Sequence, residues 1–126
     1  MIGYTMLGTN NLPNAVAFYD ELFSLLNAQR FLETNNFVAW SIDPQQPGFA
    51  ITKPHDGNAA TVGNGTMIAI VVDTPAQVDA FYAKAIELGA TDEGAPGPRE
   101  MPGFYAGYFR DLDGNKLNAF CFIQSS

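Results

Sequence analysis

The triplet Ala17-Phe18-Tyr19 returns as Ala80-Phe81-Tyr82, 63 residues further on and half the chain length away. The same spacing carries Asn11 onto Thr74 and Tyr4 onto Met67. The order of elements around each triplet also repeats. Residues 2–9 form a short apolar run, read as a strand. Leu12, Ala15, Val16, Tyr19, Leu22, Phe23 and Leu26 then recur at three- and four-residue steps, one face of a helix. Asn11 is its expected N-cap, and Pro13 suits a first turn whose N–H groups lack intrahelical partners. Asn27 is expected to end it in a left-handed conformation. Runs 28–33, 37–42 and 48–53 follow as strands, with turns at Asn35-Asn36 and 43–47. Residues 54–64, rich in Gly, Asn, Asp and Thr, have no periodicity and read as a linker. The order then begins again. Residues 66–72 are a strand, and Thr74-Pro75-Ala76-Gln77 has capping-box spacing with proline at the first helical position. Val78, Phe81, Tyr82, Ala85 and Leu88 make the helical stripe, which Gly89 stops. Residues 90–93 are a weak strand, and 94–103 a Pro/Gly loop. Two strands close the unit. A β-α-β-β-β unit cannot cover both faces of its sheet, so a chain with two of them is expected to pair them.

Composition narrows the function classes. The chain has 126 residues, 47% of them hydrophobic, enough for one compact domain or two small modules. Its formal charge of −7 offers no basic field for nucleic acid or an anionic membrane surface. Cys121 is the only cysteine, which rules out an internal disulfide and a cysteine-rich zinc site. No apolar run reaches the roughly 20 residues of a membrane span. The start, Met1-Ile2-Gly3-Tyr4, shows no secretory signal, so a cytoplasmic protein is expected.

The final stretch, FYAGYFRDLDGNKLNAFCF from Phe104 to Phe122, reads as a β-hairpin. Two apolar-aromatic runs flank Arg110-Asp111-Leu112-Asp113-Gly114-Asn115-Lys116, in which Gly114 can take a positive φ. This segment resembles the closing hairpin (commonly YxxFRDPDGNxxE) of the vicinal-oxygen-chelate superfamily, which holds glyoxalase I, extradiol dioxygenases and bleomycin-resistance proteins. The doubled element order resembles the same superfamily over the whole chain. The resemblance implies an α+β fold: two βαβββ modules paired about a pseudo-twofold, with curved mixed sheets around a central cleft and helices outside. The whole of 1–126 would then be a single domain, with module one at 1–54, a linker at 55–64 and module two at 65–126. Relatives often form homodimers, so a homodimer is the implied assembly.

In metal-dependent relatives the first and closing strands of the halves carry His, Gln or Glu. The matching positions here are Tyr4, Met67 and Asn118, with a fourth somewhere in 49–52. A transition metal needs imidazole, carboxylate or thiolate donors, so no metal and no other cofactor is expected. His55, the sole histidine, reads as a surface loop residue. The remaining chemistry is that of an apolar, aromatic cleft with a few polar groups. Its expected ligand-binding residues are Tyr4, Met6, Trp40, Met67, Asn118, Phe120 and Arg99, with Tyr4 and Asn118 as candidate catalytic groups. Arg99 and Glu100 sit in the Pro/Gly loop, where they would serve either as an anion-binding lid or as an exposed ion pair. Phe18 and Phe81 are expected in the core, the charged residues of the hairpin turn are expected to be structural, and Cys121 an inert buried thiol.

The first functional reading is therefore a metal-free protein binding a small apolar or aromatic molecule, resembling bleomycin-resistance proteins. The alternative is a glyoxalase-like lyase, isomerase or dioxygenase, either metal-independent or with an unrecognised metal site.

Overall fold

A computed structural model describes residues 1–123. The chain divides into two compact units, Met1–Gly63 and a second beginning at Asn64. The first unit runs β1 (Tyr4–Gly8), α1 (Leu12–Ser24), β2 (Gln29–Glu33), β3 (Phe37–Ser41) and β4 (Gly48–Thr52). The second repeats the order with β5 (Ile68–Val71), α2 (Pro75–Glu87), β6 (Thr91–Pro98), β7 (Phe104–Arg110) and β8 (Lys116–Phe122). Each unit holds one four-stranded mixed sheet, ordered β1-β4-β3-β2 or β5-β8-β7-β6. The first strand lies parallel to the last in both, and the other pairings are antiparallel. The fold is α+β.

The helices begin and end where local chemistry directs. Asn11 accepts from the Asn14 N–H, and the chain leaves α1 through Asn27 at φ 58°. At α2 the Thr74 hydroxyl accepts from the Gln77 N–H, while the Gln77 side chain accepts from the Thr74 N–H. This reciprocal cap satisfies two otherwise orphaned donors. Gly89, at φ 108°, closes the helix.

In the first unit Phe18, Tyr19, Leu22 and Phe23 of α1 are buried, and Tyr19 and Phe23 pack on Trp40 and Phe49 of the sheet. In the second unit Val78, Phe81 and Ala85 of α2 are buried, and Phe81 meets Phe109. Phe109 pairs with Leu117, and facing residues on paired strands share a side, so Leu117, Ala119 and Cys121 lie beneath α2. Burial pushes the Cys121 thiol up, with Asp79 adding to it, so the thiolate is disfavoured at neutral pH.

The closing hairpin is pinned by its turn. Asp111 is buried and accepts from the N–H groups of Asp113 and Asn115, while Asn115 Nδ2 donates to its other oxygen. Gly114 sits at φ 89°. The segment read as a loop after residue 93 is partly strand, because β6 continues to Pro98. It can carry Pro96 and Pro98 because it is an edge strand and is bulged, with two register shifts against β7.

Candidate functional site

The face of each sheet turned away from its helix is where pocket chemistry is available. In the first unit this face carries Tyr4, Met6, Phe37, Ala50 and Thr52, because Met6 is paired with Ala50 and Phe37 with Thr52. Tyr4 and Met6 are 65% and 43% exposed, although both are large and apolar in body. The Phe31 ring lies against Gly48, where an added Cβ would come within 3.1 Å of it. At the end of β1 and β4 a cavity of about 850 Å³ opens, within the usual range of ligand pockets. Met6, Leu12 and Phe37 form its apolar wall, and Asn36, Thr52 and Asn58 are among its polar groups. Lys53 and His55 complete it. The segment bearing them is tied down: Asn10 donates to the Ala60 carbonyl and accepts from the Ala60 N–H at 2.7 Å.

Trp40 lies on the opposite face. Strand parity places it with Val38 beneath α1, 2% exposed, and its indole N–H donates to Asp20 at 2.9 Å. Its ring is part of the core, so it offers no face to a ligand on the Met6 side. Asp20 also binds Arg30, and that guanidinium, more than the indole, holds the Asp20 carboxyl below the usual carboxylate range against the opposing effect of burial.

In the second unit Asn118 is paired with Ala69 on one side and Tyr108 on the other, on the face away from α2. It is 1% exposed, and its Oδ1 has no hydrogen-bond partner. Tyr108 beside it carries Arg99 over its ring at 5.3 Å and Lys116 at 5.4 Å. Phe120 lies on the same face, stacked on Phe104 at 5.5 Å, with Phe122 against both. Met67, just before β5, is 38% exposed. Arg99 does not reach out as a free cation: its guanidinium donates to the carbonyls of Ala95 at 2.7 Å and Gly97 at 3.2 Å. An incoming anion would compete with those bonds.

The register also identifies the fourth family position. Met6 is paired with Ala50 in the first sheet as Ala69 is with Asn118 in the second, so Ala50 is the counterpart of Asn118. The four positions that the resemblance would match to metal ligands thus hold a phenol, a thioether, an amide and a methyl. That donor set does not fit a divalent transition metal. Among the described residues no three His, Cys, Asp or Glu side chains gather as a metal site elsewhere.

Neither Lys53 nor His55 was expected at the site, because Lys53 ends the strand run 48–53 and His55 reads as a surface loop residue in the linker. The available signal was their spacing: two basic residues within three positions, directly after a strand, in a strongly acidic chain.

The profile of the Glyoxalase/Bleomycin resistance protein/Dioxygenase superfamily matches residues 1–119. The chain belongs to that superfamily. A glyoxalase/bleomycin resistance protein from Albidiferax ferrireducens is 35% identical, with a TM-score of 0.87 over 96% of this chain and 98% of that one. A lactoylglutathione lyase from Agrobacterium tumefaciens shares the fold at 21% identity, TM-score 0.73, over 96% and 92% of the two chains. A fosfomycin resistance protein from Listeria monocytogenes does so at 17% identity, with the same TM-score and coverage. No curated protein matches the sequence. No helix among the described residues is long and apolar enough to cross a membrane.

Proposed function

We propose that the protein binds a small apolar or aromatic molecule without a metal, in the manner of the bleomycin-resistance branch of its superfamily. The observation that carries this is Asn118. A buried acceptor with no partner costs about 1–3 kcal/mol, so such a group calls for an explanation. A donor on a bound molecule supplies one, and Phe120 and Phe104 on the same face offer rings to its apolar body. Tyr4, Met6 and Met67 are the other side chains proposed to line ligand-binding surface.

A thermal-shift screen of small aromatic compounds, followed by titration of the hits against Asn118→Leu, tests the reading. The variant should bind about 1–3 kcal/mol more weakly while the free protein is no less stable, because the replaced oxygen was unpaired. Unchanged affinity for every hit refutes the role of Asn118.

The second reading is a metal-independent glyoxalase-like lyase, isomerase or dioxygenase in which Tyr4 and Asn118 polarise a substrate oxygen. The 65% exposure of Tyr4 favours it as a residue a substrate can reach. Turnover assays on the screening hits separate it from simple binding. Both readings take modules 1–54 and 65–126 as one cytoplasmic domain acting as a homodimer, in which a second copy covers exposed apolar residues such as Val71 and Phe122. Sedimentation as a monomer at micromolar concentration refutes the dimer.

A further inference from the structure

We propose that the cavity of the first unit is a binding site for the oxyanion of a small molecule, a carboxylate or phosphate carried on an apolar or aromatic body. The residues concerned all lie in the first unit, and Asn118 is not among them. Of the six Lys and Arg residues, Arg30 is engaged by Asp20 and Glu33, and Lys84 by Glu87. Arg110 binds Glu93 and the Gly114 carbonyl. Arg99 binds carbonyls of its own segment, and Lys116 stands over Tyr108. Lys53 alone has a side chain with no hydrogen bond, ion pair or ring contact among the described residues, and the His55 ring is equally unengaged. Both are on the wall of the same cavity.

That wall contains no Asp or Glu, in a chain with 13 of them and a net charge of −7. Asp56, between His55 and Gly57, is not on it; its Oδ1 accepts from the Asn58 N–H and closes its own turn. The unpaired ammonium therefore has no carboxylate on the wall to satisfy it, and an oxyanion is its natural partner. The cavity is also shaped in advance. The Thr52 hydroxyl donates to the Lys53 carbonyl at 2.8 Å, and the Lys53 N–H to the Asn36 carbonyl at 2.8 Å. With the Asn10–Ala60 clasp these bonds hold the basic segment over the sheet end. Ala60 comes so near that a Cβ on Gly8 would lie 3.0 Å from its own. Met6, Leu12 and Phe37 of the same wall offer an apolar surface for the ligand body. A single lysine with one histidine suits one small oxyanion rather than a polyanion.

The test uses the intact protein with benzoate, phenyl phosphate and the neutral isostere benzyl alcohol, followed by amide-resolved NMR titration. Benzoate or phenyl phosphate should bind at millimolar concentration or better and shift the amides of residues 6, 9–12, 36–37, 52–53 and 55–59, while benzyl alcohol binds at least about tenfold more weakly. Lys53→Gln should weaken oxyanion binding about tenfold, and His55→Gln should weaken it less. Lys84→Gln, which removes the same charge from α2, should leave it unchanged. Both Lys53 and His55 are exposed, so their loss does not threaten folding. The proposal is overturned by no binding up to about 10 mM, by equal binding of benzyl alcohol, by indifference to Lys53→Gln, or by shifts confined to other residues.

Discussion

Tyr19 and Tyr82 are the same residue, in the same triplet, at the same place in equivalent helices, yet they serve different ends. Tyr19 is fully buried, with its ring within 6 Å of Phe18, Phe23, Trp40 and Phe49. Tyr82 is half-buried and donates its hydroxyl to Asp92 at 2.6 Å. The strands beneath the helices account for the difference. Register makes Trp40 and Phe49 the counterparts of Phe109 and Leu117, so the first helix rests on two broad rings and the second on one ring and an aliphatic chain. Repetition sets topology; the opposing sheet decides what a repeated side chain does.

Tyr19→Ala tests that contrast at its largest. It should cost about 3–5 kcal/mol in denaturant unfolding, the range for deleting a large buried ring, while Tyr82→Ala stays near or below about 1 kcal/mol. Similar losses at the two sites would break the comparison. Next comes Asp20→Ala, which strips Trp40 of its indole acceptor in the first unit only. About 1–2 kcal/mol is expected, since the carboxylate is partly exposed to water. The Asp20 pKa is depressed when folded, so its stabilisation is present above the ordinary value near 3.8 and is lost as pH falls through the lower folded value. Asp20→Asn should therefore flatten the acid limb of the stability curve.

The caps sharpen the comparison further. Thr74→Ala and Asn11→Ala should each cost about 1 kcal/mol, and Gln77→Ala should add a loss in the second unit alone, because only α2 has the reciprocal bond from the Thr74 N–H to the glutamine side chain. The smallest effect belongs to Tyr82→Phe. Its hydrogen bond to Asp92 pushes the Tyr82 phenol up to about 12, from an ordinary value of 10.0. That contribution is complete below pH 10 and fades as pH rises towards 12, so the variant should lose melting temperature less steeply across this window than the parent.

Much of the candidate site was open to sequence reasoning. Alternation correctly grouped Asn118 with Phe120 and set Cys121 on the helix side, because that pattern needs only a strand and its parity. The position of Trp40 was not open to it. Its parity can be read, but which parity faces the helix depends on the pairing with Phe49, and that pairing is a register between strands. Arg99 was equally opaque. Its carbonyl partners exist because β6 runs through a bulged, proline-bearing edge that residue types alone describe as loop.

The repeat, the two caps, the Asn27 and Gly89 helix ends and the Asp111–Asn115 turn follow from the sequence itself. Each depends on side-chain chemistry acting within about five residues or on periodicity along one element, and both survive without knowledge of neighbours. The unpartnered oxygen of Asn118, the methyl of Ala50 opposite Met6 and the gathering of Lys53 and His55 at a cavity were decided by tertiary structure. They depend on which strand lies beside which and on how a segment without periodicity folds back to Asn10. Those are relations between residues distant in the chain, and contact across such distances leaves no local pattern to read.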